Sequence, residues 1–164
     1  MNVLGVVVSS NLSFTEHINY CISKSAQTCY ALRMLRSRQL TGEPLWEVGR
    51  ATLLAQLTYA SPAWWGFLDA AAKQRLQIVV NRAKRNGFLS PTTEQFSQIG
   101  ELADNALFES VLNNNNHVLF KLLPPKKVPV YDLRQRVHNL VIPKIDDTLL
   151  KRNFIYKMTF KDIY

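Results

Sequence analysis

The chain has 164 residues, of which 47% are hydrophobic and 20% charged, so it is too apolar for a disordered protein and suits one compact domain, with or without a tail. Its net charge of +8 favours a polyanionic partner, either nucleic acid or an anionic membrane face. Two cysteines cannot form a disulfide framework and no signal peptide is recognisable. An intracellular location, cytoplasmic or nuclear, is therefore expected, and secretion is not.

A short β-branched run at residues 3–8 predicts one buried strand followed by a turn. No second run of this kind lies nearby, and one strand cannot make a sheet. Its pairing partners are therefore expected on sequence outside this chain, with residues 1–12 as a strand remnant.

Ser13 and Glu16 have the spacing of a capping box, which predicts the start of a first helix. An apolar stripe with steps of three or four residues extends this helix to about Arg38. The stripe consists of Ile18, Cys21, Ile22, Ser25, Cys29 and Leu32.

Pro44 at a first helical position predicts a second helix that ends before Ser61. Its apolar stripe consists of Leu45, Val48, Ala51, Leu54 and Leu57. The charge-free run at residues 51–68 contains several polar and helix-breaking residues and is too short to cross a bilayer. It is therefore predicted to be a buried core segment, and no membrane partner is expected.

Asp69 is placed to cap a third helix, which Asn86 and Gly87 end in a left-handed turn. The predicted buried face consists of Ala72, Leu76, Val79, Val80 and Ala83. Three such helices with short connections can cover one another, so residues 13–88 are predicted to form a small helical bundle.

Residues 89–164 are predicted to be a partly helical C-terminal tail. Ser90 marks a further helix start, and the asparagines at 113–116 interrupt the helical pattern of this region. Its apolar positions are Leu107, Val111, Val118, Leu119 and Leu122. A short strand is predicted at 140–143. The fold class is therefore mainly α, with one short strand before the bundle.

The positive charge is concentrated in the bundle. Residues 1–88 carry ten basic and four acidic side chains, whereas residues 89–164 carry ten and eight. The third helix has five cations and no acid, but on a helical wheel they flank its apolar stripe on both sides. Charge alone thus leaves two interpretations, a solvated helix or a surface that contacts phosphates.

No catalytic, metal or cofactor site is predicted. The six glycines are scattered and form no phosphate-binding loop. His17 and Cys21 lie four residues apart, but a second ligand pair for tetrahedral zinc is missing, so both are expected in the core. Asp146 and Asp147 are adjacent carboxylates, as a two-metal site for nucleotidyl transfer requires, but no third carboxylate lies upstream in a predicted strand. The pair is therefore predicted to form an exposed turn or a helix start.

Several segments carry a resemblance to a known family. They are Leu4-Gly5-Val6, Asn11-Leu12-Ser13-Phe14 with His17-Ile18 a few residues on, Ala31-Leu32-Arg33-Met34-Leu35-Arg36 and Leu57-Thr58-Tyr59-Ala60-Ser61-Pro62-Ala63-Trp64. In this order and spacing they resemble the segment that follows the palm in reverse transcriptases of non-LTR retrotransposons, of the LINE type and jockey-like. Residues 76–83 resemble the family's next helix. Beyond residue 89 the resemblance is weaker and depends on 136–143 and 153–156.

The resemblance implies that residues 13–88 form the thumb of an RNA-directed DNA polymerase, with residues 1–12 as the end of the palm. The aspartates of the palm would lie before Met1, and the tail lacks the Cys and His knuckle that often follows the thumb. The chain is therefore expected to be a non-catalytic fragment, with no enzymatic activity of its own.

In this family the thumb packs beside the primer–template duplex and holds its backbone without reading bases. The expected partner is thus an RNA or DNA duplex backbone, bound weakly and without sequence specificity. The missing palm is a further candidate partner, and no small-molecule substrate is expected. The candidate phosphate contacts are Arg33, Arg36, Arg38, Lys73, Arg75, Arg82, Lys84 and Arg85.

Two other functional classes stay open. A helical protein-interaction module with incidental basic charge is favoured if four aromatic residues form an exposed patch. These are Trp46, Trp64, Trp65 and Phe67. A complete enzyme is favoured only if carboxylates from distant positions converge.

Overall fold

The computed structural model describes residues 1–126, 138–144 and 146–161. The described chain is mainly helical and begins with a two-stranded antiparallel sheet, which confirms the predicted fold class. Its contacts divide it into two compact units, residues 1–101 and residues 102–164. The first unit extends past residue 88 because Phe96 and Gly100 both pack against Trp65.

The apolar run at the start of the chain folds back on itself. Strand β1 (Asn2–Val3) pairs with β2 (Val6–Val7) across a turn in which Leu4 and Gly5 have φ angles of 48° and 86°. The prediction of one strand with partners outside the chain is therefore wrong. Gly5 adopts positive φ without steric cost, so it permits a tight hairpin turn within the β-branched run.

Helix α1 (Thr15–Ser37) has the predicted extent and buries Ile18, Cys21 and Leu32. The predicted capping box is wrong, because Phe14 occupies the N-cap position and no side chain caps the helix. The ring of Phe14 is buried in the core, and its centroid lies 5.4 Å from the centroid of the Phe67 ring. The helix begins directly after this residue.

The second predicted helix contains a π-helical turn. Helix α2 (Glu43–Gly49) continues through the π-helical segment Arg50–Leu54 into α3 (Ala55–Thr58). The π turn adds one residue to the repeat, so Leu53 is buried and Ala51 is exposed. The predicted stripe is wrong at Ala51 for this reason.

Helix α4 (Ser61–Trp64) and the 3-10 turn Trp65–Phe67 lead into α5 (Ala70–Arg85). Asp69 caps α5 by accepting a hydrogen bond from the Ala72 amide at 2.7 Å. Gly87 has a φ of +69° and ends the helix, so both predicted helix boundaries are confirmed.

The chain continues through helix α6 (Phe96–Asn113), the 3-10 turn Phe120–Leu122, α7 (Thr148–Arg152) and α8 (Phe154–Phe160). The helix start predicted at Ser90 is wrong, because Ser90 lies in a turn in which its hydroxyl accepts the Thr92 amide. The predicted interruption at the asparagines is confirmed by the end of α6.

The second unit has a small core of Phe108, Leu140 and Met158. The predicted strand at 140–143 is reduced to one antiparallel bridge between Lys126 and Leu140. Val118 is 83% exposed, so its predicted place in an apolar stripe is wrong. Residue 136, at the start of a segment used for the resemblance, lies outside the described residues.

In this unit Asp147 caps α7 by accepting the Leu149 amide, and Asp146 is exposed, which confirms the predicted helix start. No helix within the described residues is long and apolar enough to cross a membrane.

Candidate nucleic-acid interface

Helices α1 and α5 lie side by side and run in the same direction. At one end the Arg75 guanidinium donates to the Asn19 side-chain oxygen at 2.7 Å. At the other end the Arg36 guanidinium donates to the Asn86 carbonyl at 2.6 Å. These contacts join residues 19 and 36 of one helix to residues 75 and 86 of the other segment, so the two helices keep a fixed register.

A groove of about 480 Å³ lies between the two helices. The α1 side is lined by residues at helical spacing: Ile22, Ser25, Ala26, Cys29, Tyr30 and Arg33. The other side is lined by Arg75, Ile78, Val79, Arg82 and Asn86. The groove therefore has a largely apolar floor and cations on both walls.

Three of the predicted arginines line this groove, and a fourth lines a recess beside it. Arg33, Arg75 and Arg82 line the groove, and Arg85 joins Arg33 and Arg82 in the adjoining recess. All four side chains are exposed, and no carboxylate of the described residues lines either cavity. Like charges that line neighbouring cavities without a counter-charge create a positive potential that attracts an anion. We define these four residues as the arginine groove.

The other four predicted cations lie elsewhere. Arg36 is held by the Asn86 carbonyl and lies 5.2 Å from the Phe88 ring centroid, and Arg38 lies just past the end of α1. Lys73 lies over the Trp65 ring at 4.6 Å, and Lys84 donates to the Thr93 carbonyl. Both lysines project from the side of α5 that faces away from the groove. This agrees with the prediction that the cations of α5 flank its apolar stripe on both sides.

Sequence reasoning missed Tyr30, Ile78 and Asn86 as groove residues. Tyr30 lies three residues before Arg33, and Ile78 lies three residues after Arg75, so each shares a helix face with a predicted arginine. A helical wheel for each helix would have placed them together. Whether the two helix faces lie next to each other depends on tertiary packing, and a local sequence pattern does not contain that information.

Cys29 lines the groove together with two of its arginines, Arg33 and Arg82. Burial raises the pKa of the Cys29 thiol, while the nearby positive charges of Arg33 and Arg82 lower that pKa in part. Cys29 therefore reports on the local electrostatic potential of the groove floor.

Replacing Arg33 or Arg82 with glutamine should raise the pKa of the Cys29 thiol, because the substitution removes a positive charge that lowers this pKa. The expected result is slower alkylation of Cys29 by iodoacetamide near neutral pH, with the rate profile displaced to higher pH. Lys24→Gln is a suitable control, since Lys24 is exposed on α1 and does not line the groove. Equal profiles for all three variants would contradict the placement of the two arginines.

His17 and Cys21 belong to the core, as predicted. Both are buried, and the Cys21 sulfur lies 3.6 Å from the His17 Nε2 atom. Burial lowers the pKa of His17 and raises the pKa of Cys21, so both neutral forms are favoured. Among the described residues there is no group of three or more His, Cys, Asp or Glu side chains that could hold a metal ion.

The aromatic residues considered for a protein-interaction surface are largely internal. Trp64 and Trp65 are buried, with their ring centroids 6.4 Å apart, and the Trp64 indole donates to the Tyr59 carbonyl. Trp46 and Phe67 are partly buried. The exposed aromatic patch that would favour a protein-interaction module is therefore absent at Trp64 and Trp65, because both rings fill the core.

The chain was compared with protein-family models, with curated proteins and with solved structures, and none of the three comparisons finds a match. An assignment of function therefore depends on the geometry and charge of the arginine groove and on the resemblance carried by the sequence.

Proposed function

We propose that this chain binds the phosphate backbone of nucleic-acid duplexes, as the thumb of a non-LTR retrotransposon RNA-directed DNA polymerase does, without a catalytic step of its own. The observation that carries the proposal is the arginine groove: three exposed arginines line the groove, Arg85 joins two of them in the adjoining recess, and no carboxylate of the described chain lines either cavity. The proposed function implies an intracellular location for the chain.

The chemistry of arginine supports this assignment. A guanidinium presents a planar fork of N–H donors that matches two phosphate oxygens and keeps its charge at any physiological pH. Phosphates are common to every sequence, so contacts to them give affinity and orientation without base recognition. Binding through the groove should therefore be weak, sequence-tolerant and sensitive to salt.

The location of the resemblance also supports the proposal. Residues 31–36, in one of the segments that resemble the retrotransposon family, lie in α1, and residues 76–83 lie in α5. These are the two helices that form the groove. The part of the sequence that suggests a thumb is thus also the part that concentrates the cations.

A salt titration tests the proposal. Binding of the full chain to a labelled blunt DNA duplex is measured over a range of salt concentrations, with a second duplex of scrambled sequence as control. If all four groove arginines contact phosphates, the slope of log affinity against log salt should be about −3.6, because each contact contributes about −0.9. A slope near zero, or a strong preference for one sequence, would contradict the proposal.

A further inference from the structure

We infer that the arginine groove accepts unpaired nucleotides at the end of a duplex, with their bases on the apolar floor and their phosphates on the arginine walls. The inference rests on the proposed nucleic-acid function and names the substrate of the same site. A duplex with a single-stranded overhang should therefore bind more tightly than a blunt one.

The floor of the groove is the first observation. Ile22, Ala26 and Val79 line it, and two larger side chains stand open to solvent within it. Tyr30 is 63% exposed and Ile78 is 48% exposed. An intact duplex presents sugars and phosphates and keeps its base faces stacked inside, so it leaves these apolar surfaces without a counterpart. An unpaired nucleotide supplies a planar base as well as a phosphate.

The position of Tyr30 is the second observation. It lies one helical turn before Arg33 on the face of α1 that lines the groove, and Arg82 lines the same groove from the side of α5. Proteins that hold single strands combine a positive groove with aromatic rings on which bases stack, and every base has a face that can stack. Tyr30 and the arginines supply both parts of this arrangement.

The distribution of charge in the groove fits an anionic strand. The cations stand on both walls, with Arg33 facing α5 and with Arg75 and Arg82 spaced by about 10 Å along α5. A strand that carries one negative charge per nucleotide can pair with cations on either wall. An acidic amphipathic peptide is the competing occupant, and its binding is measured as well.

The test compares three DNA duplexes that share one double-stranded sequence. The first is blunt, the second has a short thymine overhang, and the third has an abasic overhang of equal length, which supplies the extra phosphates without bases. The full chain should bind the thymine overhang about tenfold more tightly than the abasic one, a ratio typical of one stacked base. Fluorescence anisotropy at one fixed salt concentration measures all three.

Substitutions assign the effect to Tyr30. Tyr30→Ala should reduce the tenfold preference for thymine over abasic overhangs to parity, whereas Tyr30→Phe should keep the preference. Tyr20→Ala is the matched control, because Tyr20 is also an exposed tyrosine on α1 but does not line the groove. Circular dichroism verifies that each variant is folded.

The outcomes separate the two proposals. If the wild-type chain binds the blunt duplex but gains nothing from thymines over abasic sites, the inference on unpaired bases is wrong and the proposed function stands. If no duplex binds at all, the proposed function fails as well. If an acidic amphipathic peptide binds in a way that requires Tyr30 while no oligonucleotide does, the groove is a protein-binding site and the inference is overturned.

Discussion

Replacing Gly49 with alanine is expected to lower the free energy of unfolding by about 3 kcal/mol, at the upper end of the usual cost of overpacking. A Cβ atom at this position would lie 1.9 Å from the carbonyl oxygen of Phe88, a backbone atom that a side-chain rotation cannot move away. Gly49 has helical φ and ψ angles of −60° and −41°. Alanine would otherwise be favoured there by about 1 kcal/mol, so the predicted sign depends on the close approach alone. Urea unfolding of the full chain measures the effect.

Glu47→Ala is the control for this substitution. Glu47 lies two residues away and forms an exposed ion pair with Arg50, so its loss should change the free energy of unfolding by less than about 0.5 kcal/mol. Equal stability of Gly49→Ala and the wild-type chain would show that α2 does not approach residue 88 as described.

The contact at Gly49 also affects the groove. Phe88 follows directly on the left-handed turn that ends α5, and its amide donates to the Ala83 carbonyl at 2.9 Å. The close packing of Gly49 against Phe88 therefore fixes the C-terminal end of α5. Arg82 and Arg85 lie in this last turn, so their position depends on packing outside the groove.

Replacing Lys157 with methionine is expected to destabilise the unit of residues 102–164 by about 3–5 kcal/mol. The Lys157 ammonium group of α8 pairs with the Asp104 carboxylate of α6, and the Asp104 side chain is only 1% exposed. Its second oxygen has no hydrogen-bond partner within the described part of the chain. Without Lys157 a buried carboxylate would be left without a counter-charge, which is the costly way to break such a pair. Thermal unfolding followed by circular dichroism measures the loss.

Two variants serve as comparisons. Lys161→Met removes an exposed hydrogen bond between Lys161, directly after α8, and Asn105 of α6, and should cost less than about 0.5 kcal/mol. Adding Asp104→Asn to Lys157→Met removes the stranded charge and should recover part of the stability. If Lys157→Met is no worse than Lys161→Met, the buried pair does not hold α8 in place.

The sequence predicts those parts of the fold that depend on short-range signals. Asp69 and Gly87 mark the two ends of α5 because a cap and a left-handed stop involve only residues within one turn. The extent of α1 follows from the period of its apolar residues. The sequence does not predict the π turn, because one inserted residue shifts the apolar period and the residue types do not show at which position the insertion occurs.

The same distinction holds for the candidate site. The eight cations could be chosen from the resemblance and the charge of the helices, but Arg33 and Arg82 lie on separate helices and meet only through packing. Lys84 has the same charge and lies on the same helix as Arg82, yet it donates to the Thr93 carbonyl, a non-local contact that the sequence does not reveal. The hairpin shows the same limit, because the β-branched pattern predicts Gly5 within a continuous strand, whereas the structure places it in the turn.

Phosphate binding at the arginine groove is tested by two triple variants that lose the same charge. Arg33→Gln with Arg82→Gln and Arg85→Gln removes three cations of the groove. Lys24→Gln with Lys121→Gln and Lys151→Gln removes three exposed cations elsewhere. Both are titrated with a blunt DNA duplex over a range of salt concentrations. The groove variant should lose about 2.7 from the magnitude of the salt slope, and the control variant should keep the wild-type slope. Equal slopes for the two variants would contradict phosphate binding at the groove.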